Sequence, residues 1–328
     1  MSPRVTAVRP AWAIEGGRIV IEGTDFPVDR PRLPDVRIGG LPARVVSASS
    51  SSIGVIVPGG LESGSTPISI EGVSGDLALF VDIASPFATG LHQVDNPVFD
   101  RGGHLYVTYS GTRGQQVPVS IFKVRPNGTR ETFSSGIVNA TSMAMDAEGR
   151  LYVSSRFEGT VYRVSPDGTF ETFATDLGVA CGLAFSGDGT LFVGDRSGTI
   201  FRVNGSGKAE PFATLPASVA AFHLAIAPDG FVWVTAPTLS TYDPIYKVAP
   251  DGTVSTVNVR FGRPQGIAFD ANGHPFVVEA LAGSSGLYRL PPEGPPELVL
   301  TGPHLIGVAF DPLGSMIVCS NETAYRLK

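Results

Sequence analysis

The sequence predicts an all-β protein: a small β-sandwich followed by a six-bladed β-propeller. Composition is the first observation, since 40 Gly and 27 Pro in 328 residues, with 42% hydrophobic and only 16% charged residues, suit many strands joined by tight turns rather than long helices. The second is a pattern that recurs six times after residue 95. The third is that the first eighty residues lack this pattern but alternate apolar and polar in short runs.

The sandwich comes first, in residues 1–83. RIVIEG, DVRIGG, SIGVIVP and PISIEG are strand-like runs broken by Gly, Pro and Ser. Their order, V-x-P, then EGG-x-IVIEG-x-x-F, then VRIGG-x-PARVV, then VIVPGG, resembles the IPT/TIG immunoglobulin-like domains over roughly residues 3–83. That resemblance implies an Ig-like spacer or interaction module, with a protein partner as its expected contact and no chemistry of its own.

The propeller is expected over residues 84–328. NPVFD, SMAMD, GLAFS, HLAIA, GIAFD and GVAFD begin at residues 96, 142, 182, 223, 266 and 307, so successive copies are offset by 46, 40, 41, 43 and 41. Each copy continues into a Gly-rich turn and an apolar strand (RGGHLYV, AEGRLYV, GDGTLFV), and most add a third strand and turn (VYRVSPDGT) and a fourth short strand (ETFAT). Asp-Gly and Asn-Gly pairs supply the positive φ of tight hairpins, and β-branched and aromatic runs suit pleated strands. Units of four strands at a period near 40 stack radially as propeller blades.

The last copy runs out after three strands at Lys328, whereas Phe87-Ala88-Thr89 matches the fourth strands Phe173-Ala174-Thr175 and Phe212-Ala213-Thr214. The segment at 86–90 is therefore expected to be the missing outer strand of the sixth blade, closing the ring and removing an open edge. Deleting the final strand before Lys328 should then unfold the propeller.

Composition also bounds partners. A formal net charge of −6 with no Lys/Arg cluster gives no footprint for nucleic acid. No apolar run reaches membrane-spanning length, and MSPRVTAVRP has no apolar leader segment, so no membrane association and a cytoplasmic monomer are expected, or a secreted one if a leader has been trimmed. Cys181 and Cys319 have no metal-type spacing and are expected as buried thiols.

In a propeller, the loop entering each innermost strand and the loop leaving each second strand emerge on one face around the channel. The first column reads Asp95, Thr141, Cys181, Phe222, Gln265 and Ile306, with Asn96, Ser142 and His223 one place further in; the second reads Tyr109, Ser155, Asp195, Ala236, Glu279 and Ser320, followed by Ser110, Arg156, Arg196 and Asn321. Convergent polar groups make this face the expected site. Asp95, Asp195, Glu279 and His223 are the candidate catalytic residues, and Asn96, Tyr109, Thr141, Arg156, Arg196, Gln265 and Asn321 the candidate ligand-binding residues. Arg156 and Arg196 read either as an anion clamp or as a salt bridge with Asp195 that fixes the loop. The loop YSGTRGQQVPVSIF (109–122) is about five residues longer than its counterparts and reads as a recognition loop or as loop drift.

The repeats, through the phrase x-G-I-A-F-D-x-x-G-x-L-Y-V, resemble NHL-type propellers and the gluconolactonase/regucalcin family. The latter implies a divalent metal such as Ca on the channel axis, with DNPVFD placing Asp95 where that family has its Glu. The other two positions offer no carboxylate or Asn. A zinc site built from His92, His223 and His304, as in amidating-lyase propellers, is the other metal expectation. Two functions follow: a noncatalytic module that binds a small polar or anionic ligand at the channel mouth, or a lactonase-like hydrolase or lyase acting on the same face.

Overall fold

The computed structural model describes residues 3–28, 33–73 and 79–327, and every regular element in them is a strand. Lys328, on which the truncation expectation was anchored, lies outside the described residues.

The sandwich forms because its strands alternate. In Arg18–Thr24 the buried positions are Ile19 and Ile21, and in Gly64–Ile70 they are Thr66, Ile68 and Ile70. Leu41–Ala48 turns the corner between the two sheets: its first residues pair with Val36–Ile38 and its later ones with Ser52–Ile56. Ile19, Ile21, Ile53 and Val55 on one side thus meet Val36, Ile38, Ile68, Ile70 and Val81 on the other in a single core.

Five four-stranded antiparallel sheets stand alone, and a further four strands form the same meander within a larger sheet. The inner strands of the six groups begin at Val98, Ala140, Ala180, His223, Pro264 and Leu305, in the register of the six repeats. Ser85–Thr89 pairs antiparallel with Thr323–Leu327, so the segment preceding the repeats supplies the outer strand of the last blade. Where an Asp closes the inner strand it shapes the next turn: Asp146 Oδ1 accepts from Glu148 N at 3.0 Å and Arg150 N at 2.9 Å, and Asp270 and Asp311 repeat this.

The meander within the larger sheet is Pro264–Phe269, Pro275–Glu279, Gly286–Arg289 and Glu297–Thr301. Its outer strand pairs in parallel with Trp12–Ala13, which pairs on its other side with Leu79–Ile83, giving one twelve-stranded sheet across both domains. Ile14 then packs on Phe276, Val278, Leu287 and Leu300. This junction covers a blade edge that the repeat pattern leaves open. It also fixes the sandwich to the propeller.

Side chains lace the inner strands together around the channel. Asn96 Nδ2 donates to Ile267 O at 2.8 Å, while Asn96 Oδ1 accepts from Val308 N at 2.9 Å, so one side chain of the first blade ties the last two. Ser142 Oγ accepts from Leu183 N at 2.9 Å. Asn96, expected as a ligand residue, has its amide occupied in closing the ring.

Candidate binding site at the channel mouth

Asp95 sits at the entrance to the first inner strand and is buried. His223 Nδ1 donates to Asp95 Oδ1 at 2.5 Å, Asn96 N donates to the same oxygen at 2.7 Å, and His223 Nε2 lies 3.3 Å from Gln265 Oε1. Thr235 Oγ1 donates to Gln265 O at 2.5 Å, and Gln93 Nε2 to Asp95 O at 2.6 Å. Asp95, His223 and Gln265 thus form a connected plug across the channel, with His223 wholly buried. Gln265 faces a cavity at the mouth, and Asp95 faces the inner channel beyond.

Asp195 and Glu279 end the second strands of their blades and act as caps for the neighbouring loops. Asp195 accepts from Val179 N at 2.8 Å, from Ser197 N at 3.2 Å and from Ser197 Oγ. Glu279 accepts from Gly262 N at 2.6 Å, Arg263 N at 2.8 Å and Leu281 N at 2.7 Å. The loop around Asp195 closes so tightly that a Cβ on Gly178, which has φ of +62°, would lie 2.6 Å from the carboxylate carbon. Both carboxylates, expected to be catalytic, are buried and engaged with the loops they hold. Ser155 does the same with a hydroxyl, donating to Val138 O at 2.6 Å.

The arginines differ. A cavity of about 420 Å³ at the mouth is lined by Arg113, Arg156, Arg196 and Arg263, with Cys181 and Gln265 between them. The rest of its wall is aliphatic: Val94, Val179, Ile306 and the segment Val219–Ala221. No carboxylate lines it. Among the described residues none of the four guanidinium groups makes an ion pair, so the expected salt bridge from Asp195 to Arg156 or Arg196 is absent. Arg156 Nη2 reaches only Gly111 O, at 3.4 Å. Burial lowers the pKa of Arg156, with Arg196 and Arg113 pushing the same way and Cys181 opposing. Burial likewise pushes the Cys181 thiol up to about 11.

Arg113 comes from the long first-blade loop, which is a built structure. Asn139, buried at φ of +49°, donates through Nδ2 to Ser110 O at 2.6 Å and Thr112 O at 2.8 Å, and its Oδ1 accepts from Gly114 N at 2.6 Å. Thr141 is tied to the same residue, donating to Asn139 O at 2.7 Å, and is fully buried. Tyr109 is half-buried against His92, ring centroids 5.8 Å apart. Neither lines the cavity, and the same holds for Asn321, which contributes a backbone carbonyl to Gln93 N at 2.9 Å.

The histidine triad does not assemble. His223 is in the plug, His92 lies beside Tyr109, and His304 is exposed at a separate cleft between sandwich and propeller that it shares with Arg18 and Tyr288. No group of three or more His, Cys, Asp or Glu side chains is placed to hold a metal ion among the described residues. Asp95, the one carboxylate in the expected calcium position, is already held by His223 and Asn96, so these residues do not fit a calcium or zinc centre. Arg113 and Arg263 were missed in the sequence because they fall outside the two columns: one in the insertion, the other two positions before Gln265.

Residues 3–83 match the IPT/TIG domain. No curated protein matches the chain. Among solved structures, an auxiliary nutrient binding protein from Bacteroides thetaiotaomicron is 14% identical with a TM-score of 0.59, over 100% of this chain and 98% of that one. A gluconolactonase from Xanthomonas campestris is 15% identical with a TM-score of 0.60, over 73% of this chain and 88% of that one. A virginiamycin B lyase from Staphylococcus aureus is 12% identical with a TM-score of 0.53, over 74% and 86%. These likenesses establish a shared fold: a TIG domain joined to a β-propeller like those of gluconolactonases and virginiamycin B lyases.

Proposed function

We propose that the chain is a binding propeller whose ligand is a small anion held at the channel mouth by Arg113, Arg156, Arg196 and Arg263. The observation that carries this reading is a cavity lined by four guanidinium groups that have no ion-pair partner among the described residues, and by no carboxylate of those residues. A guanidinium only donates, and its fork matches carboxylate and phosphate oxygens. The half-buried Arg156 has lost much of its hydration for one long contact to Gly111 O, a deficit that a bound anion would make good. The likeness to an auxiliary nutrient binding protein is in keeping with a binding role.

A lactonase-like hydrolase or lyase on the same face is the second reading, and the Asp95–His223 pair below the cavity favours it. The binding reading is preferred because His223 is wholly buried and the carboxylates of Asp195 and Glu279 are occupied, which leaves no base open to the cavity. Calorimetric titration with inorganic phosphate is the test. Saturable binding that weakens about tenfold or more in Arg156→Gln, at an unchanged unfolding midpoint, supports the proposal. Equal binding by the variant, or a parent chain that binds neither phosphate nor a small carboxylate, defeats it.

A further inference from the structure

We infer that the ligand is an organic anion with at least two acidic groups on an apolar carbon body, and not a neutral sugar or lactone. This rests on the anion-binding reading above and deepens it. Each guanidinium offers about five N–H donors, so the mouth presents about twenty. Among the described residues one reaches a protein acceptor, the 3.4 Å contact from Arg156 to Gly111 O. Such a lining asks for a ligand rich in acceptors and poor in donors. A sugar hydroxyl both donates and accepts, and it is ordinarily met by carboxylate, amide and aromatic side chains. Here the lining holds one amide, Gln265, and no Asp, Glu, Asn, Ser, Thr or aromatic residue.

The positions of the arginines raise the number of acidic groups above one. Arg156 is half-buried, whereas Arg113, Arg196 and Arg263 are exposed on separate loops of the first, third and fifth blades. A single carboxylate satisfies one fork in bidentate fashion and cannot serve arginines distributed around a ring. The wall between them, Val94, Ala221 and Ile306 among others, offers only aliphatic contact, which suits a carbon chain joining two acids. Asp95, Asp195 and Glu279 beneath the mouth cancel part of the field, so selection comes from the unused donors and their spacing rather than from net potential.

The test is calorimetric titration of the full chain with three probes: adipate, hexanoate and glucono-δ-lactone. Adipate and hexanoate share a carbon chain and differ by one carboxylate, while the lactone is neutral. The expected result is adipate binding about tenfold or more tighter than hexanoate, no saturable binding of the lactone, and an Arg263→Gln or Arg196→Gln chain in which the gap between the two acids narrows. Hexanoate within about twofold of adipate, or saturable uptake or hydrolysis of the lactone, overturns this inference while anion binding stands on the phosphate result. If neither acid nor phosphate binds, the anion-binding reading falls with it.

Discussion

The two ends of the blades use the same residue in opposite ways. Across the third and fourth strands, three arginines face glutamates in register, Arg163 Nε 2.9 Å from Glu171, Arg202 Nε 3.0 Å from Glu210 and Arg289 Nη2 2.6 Å from Glu297, and Arg125, just past its strand, places Nη2 2.8 Å from Glu131. The turns after the inner strands likewise pair His104 with Asp100 and His274 with Asp270. At the mouth, Arg113, Arg156, Arg196 and Arg263 have no such partner among the described residues, although Asp195 and Glu279 are adjacent in the fold. Cross-strand pairs are what the repeat provides for these outer-strand arginines. Their absence at one end of the ring marks the positions where the partner is expected to come from outside.

The sharpest way to break this comparison is to attack what lies under the mouth. His223→Ala leaves the buried Asp95 carboxylate with the Asn96 N donor alone, and should cost about 3–5 kcal/mol of stability in urea unfolding. Glu279→Ala strands three loop N–H groups and should cost about 1–3 kcal/mol by the same measurement. A variant of either that unfolds like the parent would remove the structural role assigned here.

Arg156→Ala should behave differently, weakening binding of a small anion by about 1–3 kcal/mol while stability stays within about 0.5 kcal/mol. The pH dependence sharpens the same point. Burial and then Arg156 hold the His92 imidazole below its ordinary value of 6.5, against the opposing pull of Glu322. Its lowered folded value means the unfolded chain takes up the proton first, so this group withdraws stability as pH falls below about 6.5. An anion on Arg156 should offset the field acting on His92 and raise its value, so that anion affinity increases as pH falls through that window. Following the His92 ring signals by NMR with and without sulfate checks this, and an unmoved titration would separate Arg156 from the ligand. The smallest effect belongs to the other end: Arg163→Ala breaks an exposed pair and should change stability by less than about 1 kcal/mol, with anion binding unaltered.

Much of the fold was legible because a repeat amplifies weak signals. One Asp-Gly turn is ambiguous, but six copies of an inner strand and its turn fix the register, and the orphan fragment Phe87-Ala88-Thr89 had only one open edge to fill. The junction through Trp12–Ala13 was not legible, since a two-residue parallel pairing leaves no periodic trace. At the site, the columns contain Arg156, Arg196, Cys181, Gln265 and Ile306 of the cavity wall but do not encode what each side chain does there. Whether Asp195 is a free carboxylate or a loop cap depends on where the N–H groups of Val179 and Ser197 point, which its sequence position does not encode. Arg113 was foreshadowed only by the length of its loop, and Arg263 by nothing periodic, because residues that meet a ligand are placed by loop conformation rather than by strand register.

The central claim is that location, not charge count, makes the mouth an anion site. Two variants test it directly by calorimetric titration with phosphate and with adipate: Arg113, Arg156, Arg196 and Arg263 all changed to Gln, against Arg125, Arg163, Arg202 and Arg289 all changed to Gln. Each set removes four positive charges and takes the formal net charge from −6 to −10 (−6 − 4). The account predicts that the mouth variant loses saturable binding, while the outer-strand variant keeps its affinity within about twofold. Equal loss in both, or retention in the mouth variant, would contradict it.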